Sequence, residues 1–159
     1  MLRREQGRGT FVISDSELSG TLQRQLAGGT RNHYLKIRFI LDSGTAARAA
    51  LNRTDADVKK LRELRDIRES CWQDEDPKRR AEADLLLHLE IVAATHNPLF
   101  TKLYASMLDV FAEHMREETG TAENAAHGHH HDLVEAIAEG DADRATASVA
   151  AIFSPFMSS

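Results

Sequence analysis

Between Asn32 and Arg53 the apolar residues Leu35, Phe39, Ala46, Ala49 and Ala50 recur with the spacing of one helical face, and Gly44 is the weak point of that helix. Upstream, Ser14 and Glu17 have capping-box spacing ahead of a short helix that Gly28 and Gly29 end. Thr54 and Asp57 make a second box, opening a helix with Val58, Leu61, Leu64, Ile67 and Cys71 on its apolar stripe and charges on its outer face. Asp76 and Pro77 start a fourth helix, which Asn97 and Pro98 close. A fifth is expected from Leu99 to Glu118, a sixth through "HHHDLVEAIAEG", and a seventh from the cap Asp141 to Phe153, with Pro155 ending it. The first residues differ in kind: "QGRGTFVI" is glycine-punctuated and β-branched, which suits a hairpin. The pattern predicts an all-α antiparallel bundle of six to seven helices over residues 14–159, preceded by a short β-hairpin remnant in residues 1–13.

The fourth helix carries the first chemical signal. Residues 85–94 read "LLLHLEIVAA", apolar nearly all round, so this helix belongs inside the bundle. Asp84 and His88, four apart, share one face of it and must have partners, because an unpaired buried polar group costs on the order of 2–7 kcal/mol. Two accounts fit. They are a structural pair bonded to each other or to water, or they are two ligands of a metal ion such as zinc, nickel, manganese or iron. Further ligands would come from "AHGHHHDLVEAIAEGD", placed at the start of the sixth helix. There His130 lies four before Val134 and seven before Ile137, on the buried stripe, with His127 near it one turn earlier. Most of His127, His129, His130 and His131 are expected to be solvated, with at most one or two facing the core, and Cys71 and Trp72 to serve packing. No partner pattern is readable for His33, His96 or His114.

Composition narrows the classes. A net charge of -5 exerts no global pull toward nucleic acid, so DNA contact would fall to the N-terminal Arg3, Arg4 and Arg8. A single cysteine excludes an internal disulfide framework. No apolar run reaches the ~20 residues of a membrane span and no signal-peptide core follows the first basic residues, so a cytoplasmic domain without membrane contact is expected.

Taken in order, these motifs resemble a known family. "DLLLHLEIVAATHN" followed by "HDLVEAIAEGDADRA" is similar to the FCD effector-binding domain of the FadR subfamily of GntR-type transcriptional regulators. "IRFILDSGTAARAALNRTDADVKKL", with Arg38, Asp42 and Thr54, resembles that domain's opening helices, and "GRGTFV" the wing that ends the family's winged helix-turn-helix. The resemblance implies a ligand-responsive regulator rather than an enzyme, working as a homodimer. A small carboxylate effector would lie among Arg38, Asp84, His88 and His130. One divalent metal (zinc, nickel or manganese) would be held by Asp84, His88 and His130, with Ile152 standing where many members have a fourth ligand, a histidine. Arg8, Gly9 and Thr10 would be the DNA-contacting wing, and with no recognition helix in the residues at hand, DNA binding by this chain would be weak and without sequence preference. For Arg38 the residues alone allow an ion pair with Asp42 one turn on, beside the bidentate grip on a carboxylate that the family implies. The alternative of another class is a small metal-dependent hydrolase or lyase using Asp84, His88 and His130, against which no motif places a second carboxylate or a nucleophile. A helical dimerisation module with an empty core is a third.

Overall fold

The computed structural model describes the backbone of residues 17–115 and 121–157, and their side chains except at 115 and 121–127. The order is α1 (Glu17–Leu26), α2 (Arg31–Asn52), α3 (Asp55–Cys71), α4 (Pro77–Ala93), α5 (Pro98–Met115), α6 (Thr121–Glu139) and α7 (Ala142–Met157). The hairpin expected in residues 1–13, with Arg8, Gly9 and Thr10, lies outside the described residues, as does Ser14. Among the described residues no helix is long and apolar enough to cross a membrane.

Side-chain caps set most boundaries. Thr54 and Asp57 form the expected box at α3, Asp76 accepts from the Lys78 N–H at α4, and Asn97 Oδ1 accepts from the Leu99 N–H at α5. Thr30 and His33 close a further box at α2, which gives His33 its role. α6 ends at Gly140, whose φ of 76° lets its N–H reach Ile137 O at 3.0 Å and the Asp141 N–H reach Ala136 O at 2.9 Å. Asp141 then caps α7 by accepting from the Arg144 N–H.

Three expectations are corrected. α6 starts at Thr121, so the histidine run sits in its middle and not at its start; the alanines and Glu123 ahead of it continue the helix through Gly128. Pro155 lies inside α7, which runs on to Met157: so near a helix end Pro forfeits little hydrogen bonding, and Phe156 and Met157 pack on the core. Ile67 is 51% exposed and leaves the α3 stripe, whose inward positions are Leu61, Leu64 and, unexpectedly, Arg68.

α2 runs through the middle, packing on α4, α5, α6 and α7; α3 packs on α4 and α6, and α1 on α5. One core joins Ala46, Ala49 and Ala50 of α2 to Ile137, Val149 and Phe153, the small side chains letting the helices approach closely. The other joins Leu85 and Val92 of α4 to Tyr104, Leu108 and Phe111 of α5. α4 serves both, since Leu87 and Ile91 belong to the first. At about 100° per residue, Asp84 and His88 fall between these two apolar stripes of α4.

Candidate metal and effector site

Five helices converge on that polar gap. α2 contributes Arg38 and Asp42, α3 Arg68, α4 Asp84 and His88, α5 Tyr104 and α6 His130, all of them buried. Asp84 is the hub: its Oδ2 accepts from Arg38 Nη2 at 2.7 Å, its Oδ1 accepts from Arg68 Nε at 2.8 Å, and His130 Nε2 stands 3.1 Å from Oδ1. Burial alone would raise its pKa, but the Arg38 charge and then that of Arg68 hold the carboxyl well below its usual range. Asp42 holds a second set, accepting from Arg38 Nε at 3.2 Å and from the Tyr104 hydroxyl at 2.7 Å, with His88 Nδ1 at 3.4 Å. Burial raises its pKa to about 6 against the opposing pull of Arg38 and the Tyr104 hydrogen bond. Burial also pushes His88 well below 6.5, so its imidazole is neutral, the form that a metal ligand needs.

The donor set fits one ion. Asp84 Oδ1, His88 Nε2 and His130 Nε2 lie 3.1, 3.3 and 3.8 Å apart pairwise. Donors about 2.1 Å from a common tetrahedral ion stand about 3.4 Å from one another. A proton on His88 Nδ1, 3.4 Å from Asp42 Oδ2, would leave a lone pair at Nε2, and a carboxylate behind the imidazole is the usual outer partner of a ligating histidine. Without an ion, a proton on His130 Nε2 can serve both Asp84 Oδ1 and His88 Nε2, so the same three residues also form a satisfied polar cluster.

Charge decides what else the site can hold. The buried arginines Arg38 and Arg68 are matched in number by the buried carboxylates Asp42 and Asp84 among the described residues. A divalent ion would leave two unmatched positive charges in a low-dielectric interior, which calls for an anion beside it. Arg68, 5% exposed, keeps Nη1 buried without an acceptor among the described residues, an arrangement that costs about 1–3 kcal/mol until a ligand or water meets it.

The sequence placed Arg38, Asp84, His88 and His130 in one site, and the structure brings them together. Arg38 is ion-paired with Asp42, as its residues alone allowed, and also with Asp84; its guanidinium lies 5.6 Å over Phe153. Sequence reasoning missed Arg68 and Tyr104, and saw Asp42 only as an ion-pair partner. Arg68 reads as one charge of many on α3, though its seven-residue step from Leu61 was a usable signal. Ile152 is buried on α7, His129 is half-buried and His131 exposed, and the His127 side chain lies outside the described set. His96, at φ 56°, pairs with Asp57 Oδ2 at 2.7 Å, and His114 packs on Tyr34. Cys71 is a free thiol, and Trp72 packs under the Arg68 guanidinium at 5.4 Å.

Fold and cluster together define a class: an all-α bundle built around an enclosed, charge-balanced group of carboxylates, guanidiniums and imidazoles. The chain belongs to the FCD-domain family, whose match spans residues 33–154. It is 25% identical to "HTH-type transcriptional regulator LutR" of Bacillus subtilis (strain 168) over 162 residues, 95% of this chain and 73% of that protein. Its fold is similar to that of the Streptococcus agalactiae GntR structure, with a TM-score of 0.71 at 18% identity, covering 98% of this chain and 73% of the other.

Proposed function

We propose that this chain is the effector-binding and dimerising domain of a cytoplasmic GntR-type transcriptional regulator of the FadR subfamily, sensing a small organic acid with the help of one divalent metal ion. The observation that carries the reading is the buried triangle of Asp84, His88 and His130, whose spacing suits one ion and which two arginines adjoin. The FCD family and the likeness to a protein named as an HTH-type transcriptional regulator supply the regulatory context. Asp84, His88 and His130 would hold the ion, which would supply positive charge to attract a ligand oxygen. Arg38 keeps Asp84 ionised and turned inward while adding its charge to that side of the site. In a homodimer, a ligand that favours one packing of the surrounding helices alters how two DNA-reading modules are presented.

Thermal shifts with a panel of divalent metals, crossed with a panel of organic acids, test the reading, because a ligand that binds only the folded state raises Tm. Stabilisation by an acid, enhanced by a metal, is expected. An acid consumed in the assay would instead make the domain a metal-dependent enzyme, and no shift from any acid would remove the sensing role.

A further inference from the structure

The charged cluster contains one buried donor that no described residue meets. Arg68 reaches Asp84 Oδ1 through Nε at 2.8 Å and lies against Trp72, yet its Nη1 is buried with no acceptor among the described residues. Arg38, by contrast, spends its guanidinium on two acids, Nε on Asp42 and Nη2 on Asp84. Of the two arginines it is therefore Arg68 that offers an N–H to a ligand.

We propose that Arg68 is the effector-contacting, specificity-determining residue of the site, its Nη1 donating to an anionic oxygen of the bound acid while Arg38 acts as a positioning residue for Asp84. This inference rests on the effector-sensing reading above and narrows it. Three features support it independently of the family. Nε and Nη1 of one guanidinium belong to a single rigid plane, so the bond to Asp84 Oδ1 fixes the direction in which Nη1 points. That same Oδ1 is the carboxylate oxygen 3.1 Å from His130 Nε2, so the Arg68 guanidinium borders the Asp84, His88 and His130 group, with Nη1 on the edge of the guanidinium that Asp84 does not occupy. The two buried acids already match the two buried arginines, so an anion arriving at Arg68 meets a site without surplus negative charge, and a metal ion beside it only increases the attraction. A guanidinium N–H suits a carboxylate or a phosphate oxygen alike, so the shared chemistry is a small oxyanion; the organic acid is the source that the sensing reading favours.

The test compares wild type, Arg68→Lys and Arg68→Gln as intact chains, titrated at fixed ionic strength with acetate, succinate, citrate or inorganic phosphate, with and without zinc, by calorimetry and thermal shift. Succinamide is the neutral control. A carboxylate is expected to stabilise wild type more than phosphate and succinamide do. Arg68→Gln should then bind it at least about tenfold more weakly, with Arg68→Lys between the two because a lysine keeps the charge but not the fixed fork. Phosphate binding wild type as tightly as any carboxylate, and equally dependent on Arg68, would keep the oxyanion contact and shift the ligand from organic acid to phosphate. Binding in Arg68→Gln with wild-type affinity would overturn the role of Arg68 and leave acid sensing intact. An unmutated protein that binds none of these anions would remove both. Should neither variant fold, the guanidinium Nε–H resonances of wild type decide: the anion must move the Arg68 signal more than that of Arg38, and the reverse order contradicts the assignment.

Discussion

Replacing Asp84 by Asn removes one negative charge from the centre of the cluster while keeping the side chain's shape. In the native protein that carboxylate neutralises Arg38 at 2.7 Å and Arg68 at 2.8 Å, both buried. Breaking a buried ion pair by deleting one partner costs about 3–5 kcal/mol, because the surviving charge stays desolvated. Here Arg38 keeps Asp42, and the Asn carbonyl can still accept from one guanidinium, so a loss near the lower end, about 3 kcal/mol, is expected. For a chain of this size that lowers Tm by roughly 6–12 °C. Urea unfolding in the presence of a chelator reads the stability term without any metal contribution. Adding Arg68→Met to Asp84→Asn should recover at least about 1 kcal/mol, since it removes the charge that the first substitution stranded and leaves an apolar chain on Trp72. A loss below about 1 kcal/mol in Asp84→Asn, or no recovery in the double variant, would refute the view of Asp84 as the counter-charge of two buried guanidiniums.

Other expectations concern the surroundings. Ile152→His places an imidazole at the α7 position that the family likeness gives to a fourth ligand, and metal affinity should rise about tenfold; calorimetry showing an unchanged Kd would mean that Ile152 does not border the site. Gly140→Ala should cost about 1–2 kcal/mol in urea unfolding, because φ is 76° and the added Cβ would stand 2.9 Å from Arg53 Nη2, the group that caps Ala138 O; a neutral effect would show that the turn relaxes freely. Glu135, hydrogen-bonded by Arg62 and Arg65, has its pKa lowered from 4.5 to about 2, so its stabilisation is complete above 4.5 and lost as pH falls toward 2. Being partly exposed it is worth roughly 1 kcal/mol, and Glu135→Gln should flatten the pH dependence of stability over that window; equal slopes in the two proteins would contradict it.

Much of this architecture is written locally. The caps at Thr54, Asp76 and Asp141 act within one helical turn, so the sequence exposes them directly, whereas Asn97, read as the end of the fourth helix, caps the fifth and α4 already ends at Ala93. The i, i+4 pair Asp84 and His88 on an otherwise apolar helix, and His130 in step with Val134 and Ile137, were legible for the same reason. Arg68 and Tyr104 were not, because what distinguishes them from solvated or ordinary core residues is a partner distant in the chain: Asp84 for Arg68, Asp42 for Tyr104. The start of α6 was hidden by histidines and Gly128, which read as a boundary although the alanines ahead of them favour a helix that reaches back to Thr121. Pro155 misled in the opposite direction, since a helix-breaking residue so close to the end forfeits little and the apolar residues after it reward continuation.

On the function proposed above, Asp84, His88 and His130 form one metal-binding site inside the bundle. Equilibrium dialysis against zinc, followed by elemental analysis of the protein, tests it most directly, with His88→Ala dialysed alongside and circular dichroism confirming that both are folded. About one ion per wild-type chain is expected, and loss of that ion in the variant, because removing one of three protein ligands leaves too few to hold it. Wild type that retains no zinc, or His88→Ala that retains as much as wild type, would contradict it and leave the three residues as a hydrogen-bonded structural cluster.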